Sequence, residues 1–192
     1  MIHFTSDTHF GHANVIIHGY RPFKTVEEMD ATLVNEWNRV VKPEDTVWHL
    51  GDFAWFKESF ILEVLASLNG VKHLVLGNHD RLIEKRPTRF IGEKAFASIQ
   101  SYRELKMGKT SEEFLVLNHY AQRVWNKSHY GTFHLHGHSH GNLEPFGRSL
   151  DVGVDCKLIT PEYRPVSLEE VRHYMRDRVT PTVDHHAWVG SV

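Results

Sequence analysis

Val71-Lys72-His73-Leu74-Val75-Leu76-Gly77-Asn78-His79-Asp80 is a mostly apolar run that ends in four small or polar residues. Its first six residues have the length of a buried strand. Gly77-Asn78 is turn chemistry, because both residues tolerate a positive φ. Taken alone, the pair marks only a surface turn. Directly after the strand, however, come three side chains able to hold a metal ion or move a proton. The same arrangement recurs along the chain.

Upstream, Met1 to Ser6 reads as a strand that ends in Asp7-Thr8-His9, followed by a glycine-punctuated loop from Gly11 to Pro22. Thr25 and Glu28 form a capping box, and Val26, Met29, Leu33, Trp37 and Val40 recur at helical spacing after it. Asp45 to Leu50 is a second strand, ending in Gly51-Asp52, and Ser59 to Leu68 is a second amphipathic helix stopped at Asn69-Gly70. Downstream, short helices are expected around 81 to 85 and 92 to 98. Ile99 to Met107 and Glu113 to Leu117 read as a hairpin whose second arm ends in Asn118-His119. Residues 120 to 131 read as a polar loop. Thr132 to His136 is a strand ending in Gly137-His138-Ser139-His140, and Ser149 to Val154 is another. Ser167 and Glu170 cap a C-terminal helix. The expectation is one domain over residues 1–179 and a tail over 180–192, where His185-His186 could bind metal adventitiously.

Alternating strands and helices in the first half imply parallel βαβ units, and the later strands add a second sheet. The expected fold class is therefore α/β, with two packed sheets flanked by helices. Five strands then end in Asp7/His9, Asp52, Asn78/His79/Asp80, His119 and His138/His140. In α/β sheets, ligands gather at the carboxyl ends of strands. Parallel strands would bring all five clusters together. Carboxylates, imidazoles and an amide oxygen without a thiolate suit manganese, iron, zinc or nickel. Asp-x-His and His-x-His would aim both members to one side of an extended segment.

Composition narrows the alternatives. A net charge of −2 over 192 residues argues against a broad electrostatic footprint for duplex nucleic acid, while a small nucleotide still fits. The single cysteine, Cys156, excludes an internal disulfide and suggests a reducing compartment. No charged-then-apolar leader opens the chain, and no apolar run approaches the roughly 20 residues of a membrane span. A cytoplasmic protein is expected. Sixteen histidines raise the prior for metal binding.

Asp7-x-His9, Gly51-Asp52, Gly77-Asn78-His79-Asp80, His119 and Gly137-His138-x-His140 resemble the whole motif set of the calcineurin-like metallophosphoesterases. Ser6 to His12 and Arg21-Pro22-Phe23 are similar to the small bacterial and phage members. The resemblance implies an αββα sandwich and two divalent ions, manganese first. It implies that Asp7, His9 and His140 hold one ion, that Asn78, His119 and His138 hold the other, and that Asp52 bridges them. His79 would protonate the leaving group, and Asp80 would orient His79.

The expected reaction is hydrolysis of a phosphate ester by hydroxide shared between two ions, with phosphodiesters, nucleotide or cyclic nucleotide, preferred as substrates. The alternatives are a phosphomonoesterase and a weakly active metal-binding scaffold of the same fold. His12 and Asn14 could touch substrate or only shape their loop. Arg21 could meet a phosphate oxygen or cap the next helix. Arg123 and Trp125 could line the pocket, Trp125 by stacking a base or merely by packing. His49 and His136 suit a supporting or core role.

Overall fold

The computed structural model describes residues 1–18, 21–160 and 162–179. The expected tail and His185-His186 lie outside them. Among the described residues nine strands and five α-helices follow in order: β1 (Ile2–Thr5), α1 (Asn14–His18), α2 (Val26–Val40), β2 (Thr46–His49), α3 (Glu58–Ser67), β3 (Val71–Val75), α4 (Arg81–Lys85), β4 (Phe96–Gln100), β5 (Arg103–Lys106), β6 (Phe114–Leu117), β7 (Phe133–His136), β8 (Ser149–Asp151), β9 (Val166–Ser167) and α5 (Leu168–Met175). The first sheet has the order β4-β3-β2-β1-β9 and the second β5-β6-β7-β8. Strands β1 to β4 are mutually parallel, as are β6, β7 and β8, while β9 and β5 pair antiparallel at the edges. This is an α/β fold of two mixed sheets with helices.

Strand alternation sends neighbouring side chains to opposite faces, and both faces of the first sheet are buried. Val47 and Leu74 meet Met29, Leu33 and Trp37 of α2 and Ile61 and Leu65 of α3. Trp48 and Val75 point the other way, onto Leu115, Leu117, Leu135 and Leu150 of the second sheet, where Val171 and Met175 of α5 also pack. Parallel strands covered on both faces tend to be apolar throughout, as β6 is; β7 is buried along its whole length as well, although His134 and His136 make up half of it. The outer face of the second sheet carries Phe114 and Val116, covered by Trp125 and Phe146.

The Thr25 and Ser167 side chains each accept from the backbone N–H three residues on; the capping box closes at Ser167 through Glu170, whereas the Glu28 carboxylate accepts from the N–H of Lys24 and not of Thr25. Two readings between 92 and 107 need correction. Residues 92 to 98 are not a helix. Phe96 is fully buried and opens β4, which pairs with β3, so tertiary pairing overrides local propensity. The expected first hairpin arm, Ile99 to Met107, is divided: its start belongs to β4 in one sheet, and only Arg103–Lys106 pairs with β6 in the other. A one-turn helix, α1, also stands where a loop was expected. No helix among the described residues is long and apolar enough to cross a membrane.

Candidate metal centre

The carboxyl ends of β1, β2, β3, β6 and β7 lead into one stitched set of loops. Asp7 N–H donates to Gly51 O at 2.9 Å, His9 N–H to Asp52 O at 3.0 Å, and Gly137 N–H to His119 O at 3.0 Å. The Ser6 hydroxyl donates to Leu50 O and Gly51 O. These bonds hold an unusual backbone. Asp7, His9, Asp52, His138 and His140 all have φ between 48° and 68°, and only two other described non-glycine residues have positive φ. Left-handed conformations at non-glycine residues are costly and cluster at functional sites. The Asp-x-His and His-x-His pairs thus aim their side chains from left-handed turns, not from extended segments. Gly77 and Asn78, read from sequence as tolerant of positive φ, do not adopt it.

Gly77 and Gly137 are required for space. A Cβ on Gly77 would lie 2.3 Å from Asp52 Oδ1, and one on Gly137 would lie 2.4 Å from Asp7 Oδ2. No side chain fits between these backbones and the carboxylates that press on them.

Two groups of side chains come together: Asp7, His9 and His140, and Asp52, His119 and His138, each offering ligand atoms within 4.8 Å of one another. Asp52 Oδ2 is 3.6 Å from His9 Nε2 in the first group and 3.6 Å from His119 Nε2 in its own, so it lies between them. Asn78 Oδ1 is 3.0 Å from His119 Nε2 and joins the second group.

The donor atoms fit cations. Asp7 Oδ1 and His9 Nε2 are buried with no hydrogen-bond partner. Asp7 Oδ1 is 3.8 Å from His140 Nε2, beyond a hydrogen bond. Tetrahedral ligands about 2.1 Å from one ion are roughly 3.4 Å apart, close to these separations. The other ring nitrogens are occupied in the way metal-binding imidazoles require. His119 Nδ1 donates to Leu50 O at 2.8 Å, and His140 Nδ1 donates to Asp155 Oδ2 at 2.6 Å. Each Nε2 lone pair is thereby left facing its group.

Electrostatics agree. Burial raises the Asp7 carboxyl well above the carboxylate range, with the Asp151 and Asp52 charges adding to it and His140 opposing. A cation there would reverse that shift. Burial keeps His9 neutral, with His140 and Arg21 adding to the effect, and burial also lowers His119. Burial opposes charge on His140, but the bond to Asp155 and the charges of Asp7 and Asp155 outweigh it and raise its pKa.

His79 belongs to neither ligating group. Its backbone N–H donates to Asp52 Oδ1 at 2.8 Å, and its ring lies 5.4 Å from that of His9 and 6.0 Å from that of His12. The expected role of Asp80 needs correction. Its carboxylate accepts from the N–H groups of Asp52, Gly77 and Phe53 at 2.8, 2.8 and 2.9 Å, and no bond to the His79 ring is present. Asp80 therefore ties two ligand loops together by their backbones. Burial pushes its carboxyl up to about 7 against those three donors.

Arg21 does not face open space. It forks onto Asp155 at 2.8 and 2.7 Å and donates to Thr8 O and Asp7 O. Arg123 lies over the Phe146 ring, 4.2 Å from its centroid, on the far side of the second sheet. Trp125 is buried, its indole N–H donating to Thr132 O, so it packs. Burial pushes the Cys156 thiol up to about 11, so it stays protonated and is no nucleophile. Asp155, which holds both His140 and Arg21, was missed because no motif surrounds it. Trp55 was missed as well. Its ring stacks on His12 at 4.9 Å.

Residues 1–145 match the calcineurin-like phosphoesterase superfamily domain. An uncharacterised protein of the archaeon Methanocaldococcus jannaschii is 34% identical over 178 residues, covering 88% of this chain and 87% of that protein. The gene 66 protein of Mycobacterium phage D29 is 28% identical across 91% of this chain and 95% of its own length. A crystal structure of a protein of unknown function from Aquifex aeolicus superimposes with a TM-score of 0.66 at 26% identity, covering 91% of this chain and 98% of that one.

Proposed function

This chain belongs to the calcineurin-like phosphoesterase superfamily, and on that footing we propose that it cleaves phosphodiesters, with nucleotide diesters as the substrate class. Family and ligand groups together make it a metal-dependent phosphoesterase. The choice of diester is supported by one observation: the site opens on two sides. His138 and His140 line a cleft of about 740 Å³ that runs past Asn142 and Asp155 to Lys157. His79 lines a second cleft of about 530 Å³. A monoester has one organic substituent and fills one cleft; a diester has two.

In this reading Asp7, His9 and His140 would hold one divalent ion, and Asn78, His119 and His138 would hold the other, with Asp52 placed to serve both. Manganese is the first choice for this oxygen and nitrogen set, ahead of iron, zinc or nickel. When bound, such ions stabilise charge on phosphoryl oxygens and lower the pKa of water at the site. The chain does the rest. The buried carboxylates and the braced imidazoles of His119 and His140 keep the ligand atoms fixed. His79, anchored through its N–H to Asp52, gives a proton to the departing oxygen. Asp80 sets the distance between the Asp52 and Gly77 loops and so the position of His79.

The test compares bis-p-nitrophenyl phosphate with mono-p-nitrophenyl phosphate on manganese-loaded protein, before and after chelation. Faster, chelator-sensitive hydrolysis of the diester is expected. A preference for the monoester overturns the substrate class, and equal rates with and without metal overturn the metal-dependent reading.

A further inference from the structure

Trp55 and Phe56 sit side by side and are exposed to 47% and 56%. The backbone beneath them is pinned. Trp55 N–H donates to Phe10 O at 2.8 Å, and Phe10 bridges Ala54 in parallel fashion. The indole is thus held in place while half its surface meets water. The His12 ring stacks on it, tilted by 18°, and the His79 ring stands edge-on to it at 5.1 Å. The smaller cleft therefore begins at His79 and leads away from the ligand atoms. Its walls are His12, Trp55, Phe56 and Leu82, and Arg81 is at its margin. Arg81 is exposed and makes no ion pair or hydrogen bond among the described residues. A volume of about 530 Å³ is in the range of small-molecule sites.

Flat aromatic walls match the planar π-system of a base. We propose that this cleft receives the base of a nucleoside leaving group, stacked against Trp55, so that the departing alcohol is a nucleoside hydroxyl. The proposal rests on the phosphodiesterase reading with His79 on the leaving-group side. Water adds its oxygen to phosphorus as the bond from phosphorus to the nucleoside oxygen breaks. His79 gives that oxygen a proton, and the proton lost by water restores His79.

The test uses manganese-loaded full-length protein and three compounds: thymidylyl-thymidine and its two analogues in which one sugar or the other lacks its base. The products of the first identify the departing nucleoside. Deleting the base from that sugar is expected to raise KM by about tenfold, the scale of one base stacked on an aromatic ring, and deleting the other base to do less. Trp55→Leu is expected to abolish this difference, and Trp55→Phe to keep part of it. Equal responses to the two deletions overturn the proposal. So does a Trp55→Leu variant that slows all three substrates in the same proportion. If no diester is turned over, the phosphodiesterase reading fails separately. Equilibrium dialysis of the same compounds then decides the cleft: base-dependent retention lost in Trp55→Leu supports it, and equal retention by both proteins overturns it.

Discussion

The Asp7, His9 and His140 group and the Asp52, His119 and His138 group share one strand edge but are supported by different means. In the first, Asp7 and His9 are buried, and His140 is braced by Asp155, which Arg21 in turn holds with a two-pronged ion pair. In the second, His119 is braced by a neutral carbonyl, Leu50 O, and His138 is exposed. A carboxylate behind an imidazole raises its basicity more than a carbonyl does. Burial slows exchange with water. Asp52 and His119 are as buried as Asp7 and His9, so the expected difference, tighter retention of an ion by the first group, rests on the Asp155 brace and on the exposure of His138.

The largest effect expected is that of Asp52→Asn, because this carboxylate is common to both groups. Metal content by elemental analysis should fall from two ions to fewer than one per chain, with activity down by at least about a thousandfold. Two full equivalents in that variant would break the comparison by removing the shared member. His79→Asn comes next. It should cost alkyl diesters about 10²- to 10⁴-fold and bis-p-nitrophenyl phosphate far less, with both ions retained. Equal losses on the two substrate types would remove His79 from the proton path. Asp155→Asn tests the asymmetry itself. It should weaken one ion by about 10- to 100-fold and leave the other unchanged in a chelator titration. If both ions weaken together, the two groups are one unit.

The last prediction concerns pH and the metal-free protein. Burial holds His49 down to about 3 and His134 down to about 4, the neighbouring histidines His119 and His136 contributing respectively. The unfolded imidazoles, near 6.5, bind protons that the folded ones refuse. Stability is thus complete above about pH 6.5 and declines as pH falls through 6.5 toward 4 and then 3, by about 1.4 kcal/mol per pH unit for each such group. Urea melts of metal-free protein at pH 7 and pH 5 should show the lower midpoint at pH 5. A midpoint that rises on acidification would contradict the neutral state of these two rings.

The candidate metal centre was legible in sequence because its candidate ligands end strands, and strands announce themselves by apolar runs such as Val71 to Leu76. The parallel core and the two-sheet class then followed from alternating helices and strands; the order of the strands did not. What escaped the sequence was reach. Arg21 meets Asp155 across 134 positions, and neither carries a motif. Asp80 follows His79 directly, which suggested a side-chain pair. Its carboxylate instead turns back onto backbone N–H groups, a choice fixed by how closely the Asp52 and Gly77 loops approach. Trp125 and Trp55 are alike in composition. Only packing tells the buried one from the one on the cleft.

The left-handed backbone at Asp7, His9, Asp52, His138 and His140 bears on protein engineering. Side chains grafted onto a regular scaffold would carry the ligand atoms without the turns that aim them, and the donors would splay. To transplant this centre, one must move the loops, the two space-making glycines and the Asp80 clamp together. Conversely, a variant that relaxes these turns should gain stability as it loses metal, so selection for robustness alone would erode the site.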